Sequence, residues 1–287
     1  MRVLPALVAA CAVVGLLGPR GAPAQAEPSP ATLPPGDAVR GEVLAGLAGC
    51  LLCHGPDGGG GTVAVPGVGS TYAPPLTHSA LAGWTPANWL EAFRHGRSPE
   101  GEAYGPFFPW PAFSQMTDAD LADIVAWTTT LTDVPAAPRT PPKGLWRLVG
   151  PAAASRMAAA SSPALPEVED EAFATQLARG RYLVSAVGHC GSCHDGRTRL
   201  GRPDPDARLG GGSRALAPNI TTGNKALAAL SIDALADALA DGEDPEGEPF
   251  VDPDMAAISA HGLARLSDED RRAIAAWLLA VPAVGAR

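Results

Sequence analysis

Cys190-Gly191-Ser192-Cys193-His194 and Cys50-Leu51-Leu52-Cys53-His54 decide how this chain is read. Each is C-x-x-C-H: two thiols three positions apart, so both fall on one helical turn, with an imidazole directly after the second. A C-x-x-C pair can serve as a redox dithiol or as half of a zinc site. A zinc site needs ligands converging from two places, whereas here each pair carries its own His. The spacing fits covalent attachment of c-type haem. The thiols reach the two vinyl groups and form thioethers, and the His presents its ring to the iron as proximal ligand. The expectation is two covalently bound haem c groups, held by Cys50, Cys53, Cys190 and Cys193, with His54 and His194 on the irons.

The flanks of the two pentapeptides match as well, which makes the chain an internal repeat. Arg40-Gly41-Glu42-Val43-Leu44 precedes the first and Arg179-Gly180-Arg181-Tyr182-Leu183 the second, each predicting a helix whose Gly lets another helix approach closely. Asp37 is placed to cap the first of these helices. After the motifs, 55–61 reads as a flexible Gly-rich loop with no Lys-Ser/Thr to make it a phosphate loop. Ala73-Pro74-Pro75-Leu76-Thr77 then pairs with Ala217-Pro218-Asn219-Ile220-Thr221. Helices are predicted over 85–94 and 231–240, with Thr85 and Ser231 at the N-cap. Ser98-Pro99-Glu100-Gly101 matches Asp244-Pro245-Glu246-Gly247. Each copy closes with a capped amphipathic helix, Thr117-Asp118-Ala119-Asp120 leading to Trp127 and Ser267-Asp268-Glu269-Asp270 leading to Trp277, its acids in the first turn where the helix dipole favours them.

Residues 1–26 read as a secretory signal: Arg2, an apolar run over 4–17, and Ala24-Gln25-Ala26 as the cleavage site. The expected location is periplasmic, with cleavage after Ala26. The apolar run is short for a membrane span, and no other stretch is longer, so no transmembrane segment is expected in the mature chain. Cys11 leaves with the signal, so the remaining four of the five Cys are all used by the two motifs and no disulfide is expected. The signal takes two of the 21 basic residues and none of the 30 acidic ones, leaving 19 against 30, a net charge of −11. That balance argues against nucleic acid and anionic membrane surfaces and favours partners with a positive docking patch. Residues 27–36 read as a disordered lead-in and 132–170, rich in Pro and Ala, as a linker on which Leu145-Trp146-Arg147-Leu148 can dock.

Taken together, both halves resemble class I cytochrome c, and the whole resembles dihaem cytochromes that serve as subunits of periplasmic quinoprotein alcohol or aldehyde dehydrogenases. The resemblance spans 37–131 and 171–283 and is strongest at 179–200, 217–221 and 255–279. It implies an all-α fold of two tandem class I cytochrome c domains, 37–131 and 171–283, joined by the Pro/Ala-rich linker. It implies that the carbonyl of Pro218 accepts from His194 and that of Pro74 or Pro75 from His54. It implies a Met as sixth ligand, from the loop before the last helix. Met255, in Asp252-Pro253-Asp254-Met255-Ala256, has that place; its other reading is a packed gap-filler. The first copy departs. Counting back from the last helix puts Gly105 opposite Met255 and Met116 opposite Leu266, and relatives carry the Met near Phe108. The first iron can therefore take Met116, take a His, or stay five-coordinate. His78, His95, His189 and His261 read as surface or hydrogen-bonded structural residues, and Arg97 as solvated or paired with a haem propionate.

The function implied is electron transfer, from a dehydrogenase through the haems to an oxidase or a soluble cytochrome, with no substrate chemistry asked of side chains. A carrier or electron-transfer subunit is expected rather than an enzyme. The alternative is a dihaem enzyme such as a peroxidase or a thiosulfate-oxidising cytochrome, which needs an open haem face or a spare cysteine.

Overall fold

The computed structural model describes residues 32–65, 69–105, 107–138, 143–144, 163–199, 201–212 and 215–285. In the first half come α1 (Ala38–Leu47), α2 (Cys50–His54), strands β1 (Gly61–Val65) and β2 (Gly69–Ala73), α3 (His78–Leu81), α4 (Pro86–Leu90), α5 (Trp110–Phe113), α6 (Asp118–Thr128) and β3 (Lys143–Gly144). In the second come α7 (Glu171–Tyr182), α8 (Gly191–His194), α9 (Lys225–Ala228), α10 (Ile232–Asp241), α11 (Pro253–His261) and α12 (Asp268–Ala280). Wider π turns, Glu91–His95 and Leu183–Val187, prolong α4 and α7.

A helix crossing organises each half: α1 lies on α6, and α7 on α12. The Gly of each Arg-Gly pair is the reason the crossings are so close. A Cβ on Gly41 would overlap the carbonyl oxygen of Asp123, and one on Gly180 would overlap that of Ala273. The neighbouring Arg then clamps the crossing. Arg40 donates to Asp120 (2.5 Å) and also pairs with Asp123, while Arg179 grips Asp270 with two bonds of 2.7 and 2.8 Å. Thr117 and Ser267 cap α6 and α12, accepting from the backbone N–H of Asp120 and Asp270. Under the crossings lie Leu44, Leu121, Ile124 and Trp127 in one half and Leu177, Leu183, Ile274 and Trp277 in the other, all buried. Each such aliphatic side chain contributes roughly 1.5–3 kcal/mol by leaving water.

The matched tetrapeptides fold alike. Gly101 N–H donates to Ser98 and Gly247 N–H to Asp244, and both glycines have φ of 84°. Tyr104 N–H then returns to the Gly96 carbonyl (2.7 Å) and Phe250 N–H to that of Gly242 (3.0 Å). The chain is mostly helical, as expected, but the first half adds a small antiparallel sheet in the order β1-β2-β3. Thr62 and Val63 pair with Tyr72 and Thr71. These β-branched and aromatic residues suit a pleated surface, and they follow the Gly-rich stretch that was read as loop only.

The halves share one apolar core. At the end of α1, Gly46 packs on the His261 carbonyl and Leu47 on Gly262. Glu42 accepts two bonds from Arg265, at 2.8 and 3.1 Å. Tyr182 donates to Asp120 (2.5 Å) while accepting from Thr117 N–H (3.0 Å). The start of the expected linker returns to the first half: Asp133 accepts from Ser79 N–H, and the Ala137 carbonyl from the Tyr72 hydroxyl. Residues 139–142 and 145–162, with Leu145 to Leu148 among them, lie outside the described residues, as do the expected signal and residues 27–31 of the lead-in.

Candidate haem-attachment sites

Both pentapeptides form the single helical turns that the spacing predicts, α2 and α8. None of the four motif cysteines is in a disulfide among the described residues. Burial, with the paired thiol adding to it, pushes Cys50 and Cys190 up to about 12, and burial also raises Cys53 and Cys193. A redox dithiol or a metal-binding thiolate needs the opposite shift. Un-ionised thiols against an apolar core, with one edge of each turn reaching the surface, fit thioether attachment to an apolar ring.

The histidines are oriented by backbone. Nδ1–H of His54 donates to the Pro74 carbonyl (2.6 Å) and that of His194 to the Pro218 carbonyl (2.7 Å). A carbonyl only accepts, so Nδ1 carries the hydrogen and Nε2 is the lone-pair nitrogen. Burial lowers both pKa values, partly offset by these bonds, and keeps the rings neutral. A neutral imidazole with one nitrogen tied and the other free is what an iron ligand requires. Of the two prolines considered for His54, the partner is Pro74.

One glycine holds each turn against its proline segment, and the sequence reading missed both. Gly60 N–H donates to the His54 carbonyl (2.8 Å), and Gly211 N–H to that of His194 (2.7 Å). Both have positive φ, 81° and 58°. A Cβ on Gly60 would meet Pro74 and Pro75, and one on Gly211 would overlap Pro218 and Asn219. Only Gly satisfies the backbone angle and the close approach together. The signal was there as a Gly between each C-x-x-C-H and its Ala-Pro, but at different distances in the two copies.

Met255 lies half-buried in the first turn of α11 and packs against the core. Its neighbour Asp254 adds to burial in raising Cys53 and Cys193, and a Cβ on Gly49, just before Cys50, would lie 3.7 Å from Ile258 of α11. Met116 is buried in the core, 3% exposed, as is Leu266 at 7%. Register counted from the matched tetrapeptides at 98–101 and 244–247 sets Met255 opposite Pro109, beside Phe108, whereas counting from the last helix sets it opposite Gly105. The offset between the halves changes where the 9-residue α11 stands opposite the 4-residue α5. In the first half this region is aromatic. Phe108 meets Tyr104, Phe93 and Phe113 edge-on, with ring centroids 5.2, 5.6 and 5.5 Å away. His78, His95 and His261 are exposed, and Arg97 donates to the Gly101 carbonyl. His189 is hydrogen-bonded through both ring nitrogens. No helix among the described residues is long and apolar enough to cross a membrane.

Comparison with known proteins agrees with this geometry. The cytochrome c family model matches residues 38–132. The chain is 34% identical to a dihaem c-type cytochrome of Cereibacter sphaeroides over 280 residues, covering 87% of each. It is 31% identical to the fructose dehydrogenase cytochrome subunit of Gluconobacter japonicus, over 90% of this chain and 55% of that subunit. It is 28% identical to the cytochrome c subunit of a quinone-type alcohol dehydrogenase of Gluconobacter oxydans, over 85% of this chain and 55% of that one. The chain thus spans about half the length of the dehydrogenase subunits and most of the dihaem cytochrome. Covalent haem c is the cofactor of this group, and the chain belongs to the cytochrome c family, alongside dihaem cytochromes and the cytochrome c subunits of dehydrogenases.

Proposed function

We propose that this protein is a periplasmic dihaem electron carrier, built as two tandem cytochrome c domains over 37–131 and 171–283, that takes electrons from a dehydrogenase and delivers them to an oxidase or a soluble cytochrome. The observation that carries the reading is the duplicated site: two C-x-x-C-H turns, each with its His Nδ1–H on a proline carbonyl. Haem c, when bound, supplies reversible one-electron chemistry. Cys50 and Cys53 hold one group by thioethers, and Cys190 and Cys193 the other. His54 and His194 offer neutral Nε2 to the irons, and the Pro74 and Pro218 carbonyls fix ring orientation and raise ligand basicity. Met255, at the start of α11, would supply the sulfur for the second iron, and a thioether ligand would favour ferrous iron and raise the potential. The named dehydrogenase subunits among the relatives support a dehydrogenase as donor.

For the first iron, Met116 is the candidate sulfur, the sole Met between residues 27 and 131. Its place in the core, matching Leu266, favours a second reading: a packing residue, with the first iron left without a protein sulfur. Exported protein made with cytochrome c maturation factors is expected to carry two covalent haems per chain, measured by mass and pyridine haemochrome. One haem per chain would remove the dihaem reading.

A further inference from the structure

His189 stands immediately before Cys190, in a backbone conformation few side chains adopt. Its φ is 36°, one of two positive values at non-glycine positions among the described residues. A left-handed backbone is strained for a residue other than Gly, and it persists where its surroundings over-determine it. Three contacts do so here. Nε2 lies 3.1 Å from the carbonyl of Ala48, the C-cap of α1 two residues before Cys50. Since the carbonyl accepts, Nε2 carries the hydrogen, and Nδ1 accepts from the Ser192 hydroxyl inside the second motif (3.1 Å). The ring edge meets Phe113 of the first half, centroids 5.4 Å apart.

The residues around this bond bring the two turns together. A Cβ on Gly188 would touch Leu47 at 3.4 Å and Cys190 Sγ at 3.2 Å, and Gly49 faces Ile258 of α11. Cys50 and Cys190 pack on the same core. The influence of Cys193 on the Cys53 thiol agrees with this closeness. We propose that His189 is a positioning residue: it clasps the second attachment turn to the end of α1 and so fixes the separation and relative orientation of the two haem-bearing turns. The inference rests on the dihaem reading and assigns the geometry of the pair to one side chain.

The test uses the holoprotein with His189→Gly and His189→Gln. Gly relaxes the backbone angle and removes the bond; Gln keeps a donor at the ε position. Haem content is counted in each, circular dichroism is recorded in the Soret region, and the two midpoint potentials are titrated. The unaltered protein should hold two haems and show the bisignate Soret signal of neighbouring chromophores. His189→Gly should keep both haems and lose most of that signal. The mutual influence of the two irons on their potentials should shrink too, because the interaction of two charges falls with separation. His189→Gln should restore both readouts. Two haems with an unaltered signal and unaltered potentials in His189→Gly overturn the clasp alone, as does a Gln variant no better than Gly. A single haem in the unaltered protein overturns the dihaem reading and the clasp with it.

Discussion

The two halves use the same means to place their proximal histidines and different means on the far side of the attachment turns. In both, an Arg-Gly pair locks the first helix onto the last, a Gly with positive φ donates to the carbonyl of the motif His, and the His Nδ1–H donates to a proline carbonyl. Beyond that they part. The second half has the 9-residue α11 with Met255 at its start. The first half has the short α5 and a cluster of aromatic rings around Phe93, Phe108 and Phe113. The lesson is that the parts fixing backbone geometry are alike in both copies, while the region proposed to supply the sixth ligand differs. Electrochemically unequal haems on one scaffold are the expected consequence.

The strongest test of the shared scaffold is at the glycines of the helix crossings. In an ordinary helix Gly→Ala stabilises by roughly 1 kcal/mol. Here Gly41→Ala and Gly180→Ala each place a methyl on a carbonyl of the partner helix, so the helices must separate. Overpacking of this kind costs about 1–3 kcal/mol, occasionally more. Both variants should lower the denaturation midpoint of the holoprotein, and by similar amounts. A stabilising Gly41→Ala beside a destabilising Gly180→Ala would break the equivalence of the two crossings.

The difference between the halves is sharpened by Met255→Ala. It should abolish a sulfur-to-iron charge-transfer band and lower one of the two potentials, since a ligand that prefers ferrous iron is lost. The expected fall is on the order of 0.1–0.3 V, part of the ~0.8 V range that axial ligands span. An unchanged spectrum and potential would remove Met255 from the iron.

How much of this was legible before the structure depended on whether a feature repeats at a fixed offset. The glycines at the helix crossings, the caps at Thr117 and Ser267, and the matched loops at 98–101 and 244–247 stand in the same order in both copies, and the glycines and caps fold as read; the Arg clamps beside those glycines were not read. Gly60 and Gly211 do the same job, but 6 and 17 residues after their histidines (54 to 60, 194 to 211), so no alignment by spacing pairs them. The sheet was hidden because Thr62-Val63 and Thr71-Tyr72 follow a Gly-rich stretch and have no counterpart in the second copy. The place opposite Met255 depends on the end from which it is counted, Gly105 from the last helix and Pro109 from the matched loops, because the copies differ in length between the two. His189 gave no periodic signal at all. Its importance lies in a bond to a residue 141 positions away.

The Arg clamps give a smaller effect that separates the halves again. Arg40 faces two carboxylates, Asp120 and Asp123, each with only 5% of its side chain exposed; Arg179 faces one, Asp270, at 19%. Removing one partner of a fully buried pair costs about 3–5 kcal/mol. Arg40 itself is 44% exposed, so water screens part of this, and about 1–3 kcal/mol is expected for Arg40→Met. Arg179→Met, with a wetter carboxylate, should cost about 1 kcal/mol or less. Chemical denaturation of the two variants measures the difference. Equal losses would show that the second acidic residue of the first half adds nothing to the clamp.

The smallest effect is expected at Met116, and it decides whether the halves differ in ligation or only in the route to it. Met116 is 3% exposed and has Leu266 as its counterpart, so Met116→Leu exchanges side chains of similar volume at a core position. Such swaps cost less than about 1.5 kcal/mol. The haem spectrum should stay as it was, because the sulfur is held in the core just before the Thr117 cap. Pairing this variant with Met255→Ala makes the reading unambiguous. If Met255→Ala alone removes all charge-transfer absorption attributable to sulfur, the first iron has no thioether and the aromatic cluster lies beside an iron without a protein sulfur. If absorption survives Met255→Ala and vanishes only when Met116→Leu is added, Met116 leaves the core to bind iron, and the match with Leu266 is one of sequence register but not of role.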